Sequence, residues 1–203
     1  MLVGEAKVLA RLSRPYRRFG VFMKQYDPHK HRRRSIRLKG WDYRLPGYYF
    51  VTICTFQRQC LFGNLDFQEV AANALCRVPE QAYARHVVLD EWVVMPNHVH
   101  VIFVFMAYAA QADMSVATGD FRNALAGSLG VVVGRYKAAV TTRINNLRGR
   151  KGAKVWQRGY YERIIRNERE WRATQRYIVD NPARWAEDRE NLDALLARMT
   201  YHA

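Results

Sequence analysis

Two histidines stand one residue apart in the run EWVVMPNHVHVIFVF, from Glu91 to Phe105. The rest of the run is β-branched and apolar, and reads as buried strand. On a strand, side chains two residues apart share a face and lie about 6–7 Å apart. His98 and His100 can therefore turn two imidazoles toward one divalent cation, while Val99 points the other way into a core. The same spacing also suits two half-exposed histidines that bind nothing, or a zinc hydrolase. Two nitrogens leave a metal site incomplete, so a third ligand must come from elsewhere.

The search for it leads to RYIVDNPARW, Arg176 to Trp185. On a helix Tyr177 and Asn181 are four residues apart and share a face. The carbonyl oxygen of Asn181 suits a hard cation such as magnesium. The phenol of Tyr177 is a candidate nucleophile. An ordinary phenol pKa is about 10, so it needs a nearby cation to ionise near neutrality. A packed aromatic with its hydroxyl at the surface is the plainer account of the same residue.

Those residues must be held by a scaffold, and the sequence outlines one. Gly47–Gln57 alternates aromatic and β-branched residues, as a strand does. Residues 67–86 have helical spacing at Val70, Ala74, Leu75 and Val78, with Pro79 as a break. Residues 87–105 supply one or two strands, and Pro96-Asn97 marks an edge, bulge or turn just before the histidines. Residues 107–127 read as a loop, and Leu129–Leu147 as a helix with its basic residues on one side. Val155–Arg166 reads as a strand. The helix after it is capped by Asn167, with Glu170 as capping-box partner, and ends before Pro182. This order predicts an α+β fold, an antiparallel sheet with helices on one face.

Charge points to the partner. The chain has 203 residues and a formal charge of +15. Twelve Lys and Arg against two acids fall in residues 1–40, so most of the excess sits in the first fifth. Such a segment is drawn to polyanions, of which nucleic acid is the usual one. Arg32, Arg33, Arg34, Arg37 and Lys39 are candidate phosphate contacts there, joined further on by Arg135, Lys137, Arg158 and Arg166. Trp156, Tyr160 and Tyr161 are candidates to stack unpaired bases, with core packing as the alternative.

Length and composition set the frame. The chain suits one globular domain with extensions: a basic arm at 1–40, a folded domain at 41–185 and a helical tail at 186–203. Residues 1–28 read as a solvated tail, a leader translated upstream of the true start, or an arginine-rich presequence. No apolar run reaches the roughly 18 residues of a spanning helix, and no signal-peptide core is visible, so no membrane is expected. Cys54, Cys60 and Cys76 are odd in number and lack a CxxC pair. That speaks against a disulfide framework or a cysteine zinc knuckle, and for a reducing cytosol.

Taken in order, MPNHVHVIF, WQRGYYERIIRNE and YIVDNP resemble the REP-associated tyrosine transposases, members of the HUH (histidine-hydrophobic-histidine) single-tyrosine transposases and nucleases. RRRSIRLKGWDYRLPGYYFVTICTFQRQCLFG resembles the start of that family, and the likeness runs from about Arg32 to Trp185. It implies a ferredoxin-like or RRM-like HUH nuclease fold. It implies that His98, His100 and Asn181 are metal ligands for Mg²⁺ or Mn²⁺, and that Tyr177 is the catalytic residue. The substrate implied is single-stranded DNA bearing an imperfect palindromic hairpin, cut and rejoined through a 5′-phosphotyrosine during transposition. The chain would act in the bacterial cytoplasm, at the nucleoid, as a monomer or homodimer. One departure is Arg163, where the family often has histidine after GYYE. Glu162 and Arg166 are candidates for DNA contact or local structure. The other readings that stay open are a non-catalytic DNA-binding regulator that keeps the fold, the zinc hydrolase and an RNA-binding module. A barrel hydrolase needs about 250 residues, and an RNA module should show an aromatic-glycine signature that is missing.

Overall fold

Strand β1, Gly47–Cys54, forms because GYYFVTIC is almost entirely aromatic and β-branched, and it sits inside the sheet. The computed structural model describes residue 38 and residues 40–107 and 125–185. The expected tail at 186–203 and the contacts assigned to Arg32, Arg33, Arg34, Arg37 and Lys39 lie outside the described residues.

Four strands make one antiparallel sheet in the order β2-β3-β1-β4, where β2 is Val87–Met95, β3 His98–Phe105 and β4 Tyr161–Ile165. β1 pairs with β3 from Gly47↔Phe105 to Cys54↔His98, and with β4 from Tyr48↔Ile165 to Thr52↔Tyr161. β2 and β3 form a hairpin whose last pair is Met95↔His98, so Pro96 and Asn97 are its two-residue loop. Proline has no N–H to lose there and pre-sets its φ for a turn. Between Leu89 and Trp92, β2 carries one residue more than β3, a β-bulge.

The sheet has two unlike faces. Tyr49, Val51, Ile53, Val99, Val101, Phe103 and Phe105 point to one, where α1 (Leu65–Cys76) and α2 (Leu129–Leu147) cover them. Helix α2 buries Leu129, Val132, Val133, Tyr136, Val140 and Ile144, the three-and-four spacing of an apolar stripe. Asn64 caps α1 by accepting from the Phe67 amide at 3.2 Å. The opposite face carries Phe50, His98, His100, Ile102 and Val104, and a third helix, α3 (Glu168–Asp180), crosses it through Trp171 and Ile178.

The α+β antiparallel sheet is therefore as expected, with a refinement: two helices share one face and the third takes the other. The physical reason is the alternation of β3. Its even positions include Ile102 and Val104 as well as the histidines, and that apolar surface also needs a cover. The strand expected at Val155–Arg166 is regular only from Tyr161. Before it, Trp156 makes an isolated bridge to Thr55 and sinks into the core between Phe62 and Tyr136, with ring centroids 5.2 and 5.8 Å away. Core packing, not base stacking, is thus its role.

Candidate active site

His98 opens β3 and His100 follows two residues on, so both project from the face that α3 crosses. Both are buried, at 0% and 2% exposure, rather than half-exposed. Their Nε2 atoms lie 2.9 Å apart. Each ring is oriented through its other nitrogen. Nδ1 of His98 lies 2.8 Å from Asn97 Oδ1, and Nδ1 of His100 lies 2.8 Å from Thr52 Oγ1. Thr52 is opposite His100 in the β1–β3 register, which is why it can reach.

These partners fix the proton of His98 and leave that of His100 free to shift. Asn97 Nδ2 donates to the Arg58 carbonyl at 3.3 Å, so its Oδ1 is an acceptor and His98 Nδ1 must donate to it. Burial, with a smaller contribution from the Arg58 charge, pushes the His98 pKa down to about 3, so the ring is neutral. Its Nε2 is then a bare lone pair facing His100. Thr52 differs from Asn97 because a hydroxyl can donate or accept. It lets His100 carry its proton on either nitrogen, and with that proton on Nδ1 both Nε2 lone pairs face one point. Outer partners that set the tautomer in this way are usual behind metal-binding histidines.

A further layer supports Asn97. Gln57 and Arg58 adopt left-handed backbone at φ 53° and 55°, a conformation with a steric cost for such residues. The strained turn presents the Arg58 carbonyl to Asn97. Thr55 bonds the Asn97 carbonyl through its amide at 2.8 Å and its hydroxyl at 2.9 Å, and the Phe62 amide donates to the Pro96 carbonyl at 2.8 Å. The hairpin loop that starts the histidine strand is thereby stitched to the end of β1.

Helix α3 brings the remaining residues. The Asn167 side chain caps it by accepting from the Glu170 amide at 2.9 Å. Glu170 does not close the expected box on Asn167; its carboxylate accepts from the Arg166 amide at 3.1 Å and from Arg163 at 2.8 Å. Those bonds, the Arg166 amide first, hold the Glu170 carboxyl below its usual range. Tyr177 places its hydroxyl 3.3 Å from His100 Nε2, yet the residue is 44% exposed. One turn on, Asn181 is buried at 4%, and its Oδ1 has no hydrogen-bond partner among the described residues. Another turn on, the Trp185 ring lies 5.9 Å from that of His98. Asn181 thus sits between a residue against His100 and one against His98.

An orphaned, buried amide oxygen costs roughly 1–3 kcal/mol unless something occupies it. Two imidazole nitrogens and an amide oxygen are donor types that a divalent cation takes. Among the described residues no three His, Cys, Asp or Glu side chains gather into a metal cluster.

The other expected site residues scatter. Arg135 and Lys137 lie on α2, across the sheet from the histidines. Arg135 is exposed, 6.0 Å from the Tyr83 ring. Lys137 gives its ammonium to the carbonyls of Gln157 and Gly159 at 2.7 and 2.9 Å, and burial lowers its pKa to about 8. Arg158 and Arg166 are exposed at either end of the β4 region. Glu162 is buried and points away from the histidine face, whereas Tyr161 and Arg163 share that face with Phe50 and Thr52. Sequence reasoning missed Thr52, Asn97, Arg58 and Trp185. Asn97 and Trp185 had a signal, adjacency to His98 and an eight-residue step from Tyr177. Thr52 and Arg58 had none without the strand register.

Comparison with known proteins follows from here. No protein-family model matches the chain. An uncharacterised protein of Haemophilus influenzae is 35% identical over 182 residues, covering 83% of this chain and 98% of that one. Among solved structures, a REP-associated tyrosine transposase bound to a REP hairpin is 19% identical. That match covers 73% of each chain at a TM-score of 0.46. A presumed transposase of Deinococcus radiodurans is 18% identical, over 71% of this chain and 97% of its own, at a TM-score of 0.38. Of the motifs that resemble REP-associated tyrosine transposases, those with His98 and His100 and with Tyr177 meet at the histidine–tyrosine site, and the chain belongs to one family with the Haemophilus influenzae protein.

Proposed function

We propose that the protein is a metal-dependent tyrosine transposase, a nuclease and strand transferase acting on single-stranded DNA. The observation that carries this reading is a tyrosine hydroxyl 3.3 Å from Nε2 of His100, itself 2.9 Å from Nε2 of His98; the buried, unpartnered amide oxygen of Asn181, one turn beyond Tyr177, supports it. His98, His100 and Asn181 would hold Mg²⁺ or Mn²⁺, which when bound supplies charge neutralisation at a phosphate oxygen. The Tyr177 hydroxyl attacks phosphorus in line and gives up its proton. The bond to the 3′ oxygen breaks, that oxygen takes up a proton, and the 5′ phosphate stays on the tyrosine. Attack by another 3′-hydroxyl reverses the step and rejoins DNA, with no water and no ATP consumed. The exposure of Tyr177 suits this role, because a nucleophile for a polymer must be reachable.

The rest of the histidine face suits an unpaired strand. Helix α3 packs on β2 and β3, and the β1–β4 half beyond it presents Tyr48 and Tyr161, both exposed, on either side of Phe50. Aromatic rings of this kind stack bases of any sequence, and the chain's positive charge attracts the backbone. The basic arm would add hairpin contacts.

The test is a denaturing gel. Wild-type protein and Tyr177→Phe are incubated with end-labelled single strands from the DNA flanking the gene, with Mg²⁺ or Mn²⁺, and with chelator as control. The reading predicts a protein-linked band that requires both metal and Tyr177. A shifted native complex with no covalent band from any strand would replace it with that of a DNA-binding regulator.

A further inference from the structure

We propose that Asp90 is a positioning residue that sets α3, and with it Tyr177 and Asn181, over the histidine pair; as a statement about catalysis this rests on the nuclease reading above. The extra residue in β2 lies between Leu89 and Trp92, two residues that both pack on the α1–α2 face. Asp90, next after Leu89, faces α3 by ordinary alternation, and the bulge returns Trp92 to the α1–α2 face. Both carboxylate oxygens are spent on that helix. The Trp171 indole N–H donates to Oδ2, and the Gln175 amide donates to Oδ1 at 2.9 Å and Oδ2 at 3.1 Å. Trp171 and Gln175 are one turn apart, so one carboxylate grips two successive turns.

The grip matters because the apolar hold on α3 is thin. Ile178 is the helix's one buried residue, whereas α2 has six buried apolar side chains. The Trp171 ring also rests on Tyr48 of β1, with centroids 5.8 Å apart, so the indole that Asp90 holds spans the sheet from β2 to β1. Tyr177 lies two residues beyond Gln175, and Asn181 one turn further. A helix gripped by polar contacts in its first half and anchored by one buried apolar side chain, Ile178, in its second transmits a tilt to Tyr177 and Asn181 when the grip is lost. A misplacement of about 1 Å at a reacting group can cost on the order of a hundredfold in rate.

The experiment compares wild type with Asp90→Ala, Asp90→Asn and Trp171→Phe, the last keeping the ring and deleting the donor. Adduct formation is followed in a single turnover at saturating single strand. Asp90→Ala should slow it on the order of ten- to a hundredfold with unchanged half-saturating strand concentration, and Asp90→Asn should fall between. Adding Trp171→Phe to Asp90→Ala should slow it little further, because the two remove one contact. Ile144→Val on the other face, matched for loss of melting temperature, should keep the wild-type rate. Hydrogen exchange gives a readout independent of activity: α3 amides should lose protection in Asp90→Ala while β1 and α2 keep theirs. A wild-type rate in Asp90→Ala, an equal loss in the Ile144→Val control, or unchanged α3 protection would each overturn the proposal. If Asp90→Ala does not fold, Trp171→Phe carries the same comparisons. If wild type forms no adduct with any strand, the nuclease reading falls, and the exchange measurement alone decides whether Asp90 holds the helix.

Discussion

The two faces of this sheet are built by opposite rules. On one, β1 and β3 send Tyr49, Val51, Ile53, Val99, Val101, Phe103 and Phe105 into two helices that exclude water completely. On the other, the same strands send out Phe50, Thr52, His98 and His100, under a helix that covers part of the surface. The first face gains its stability mainly from burial, and its buried Tyr49 and Tyr136 hydroxyls donate to the carbonyls of Leu45 and Ala71. The second carries a strained turn, a buried pair of imidazoles and an orphaned amide oxygen. Such features cost stability and persist because the first face supplies it. One strand with period two serves both purposes, since its odd residues anchor one face and its first even residues, His98 and His100, stand on the other.

The comparison is broken most severely by removing a histidine. His98→Ala or His100→Ala should lower metal-dependent adduct formation on the order of a thousandfold or more, as a cation's several kcal/mol are lost from the transition state. Circular dichroism should still show the wild-type sheet. A residual rate within tenfold of wild type would mean that the histidines are not ligands. The converse substitution is Ile144→Ala on the other face. It should cost about 2–5 kcal/mol in denaturant unfolding and leave the rate unchanged while the protein stays folded.

Asn181→Ala should be milder. It should raise the Mg²⁺ or Mn²⁺ concentration needed for half-maximal rate by about 10–100-fold, and it should not lower stability much, because the amide oxygen it deletes is already unsatisfied. A large loss of stability with unchanged metal response would assign Asn181 to packing. The smallest effect belongs to Lys137, whose pKa is lowered from 10.5 to about 8. Below pH 8 the lysine is charged in both states, and the folded state carries the cost of holding that charge half-buried. Between about pH 8 and 10.5 the folded lysine has released its proton and the unfolded one has not, so stability should rise with pH across that window. Lys137→Met should flatten that rise in thermal melts.

Much of this was legible in the sequence because it is periodic. The alternation of β1 and β3 and the stripe of α2 named their elements, and α2 spans the expected Leu129–Leu147. Asn167 announced its cap, and Pro96 the hairpin turn. Same-face spacing within a strand pairs His98 with His100, and within a helix Tyr177 with Asn181; their grouping as one site comes from the family resemblance. That Tyr177 meets His100 does not follow, because 77 residues separate them and only the packing of α3 joins them. The face that α3 takes, the bulge at Asp90 and the partnership of Thr52 with His100 depend on register, which no local pattern states. For Trp156 the sequence leaves core packing and base stacking open, and α2 laid against it decides for the core; that Lys137 gives its ammonium to the Gln157 and Gly159 carbonyls is likewise a matter of tertiary packing.

The central claim is that Tyr177 forms the covalent bond to DNA, and peptide mapping tests it most directly. The adduct made with Mg²⁺ is digested with nuclease and trypsin, and the nucleotide-bearing peptide is sequenced by tandem mass spectrometry. Cleavage after Arg176 and Arg184 yields a peptide from Tyr177 to Arg184 that contains one tyrosine. The account predicts a 5′-phosphate remnant on Tyr177 in that peptide. A remnant on Tyr48 or Tyr161, the other exposed tyrosines of that face, or on any other residue, would contradict it.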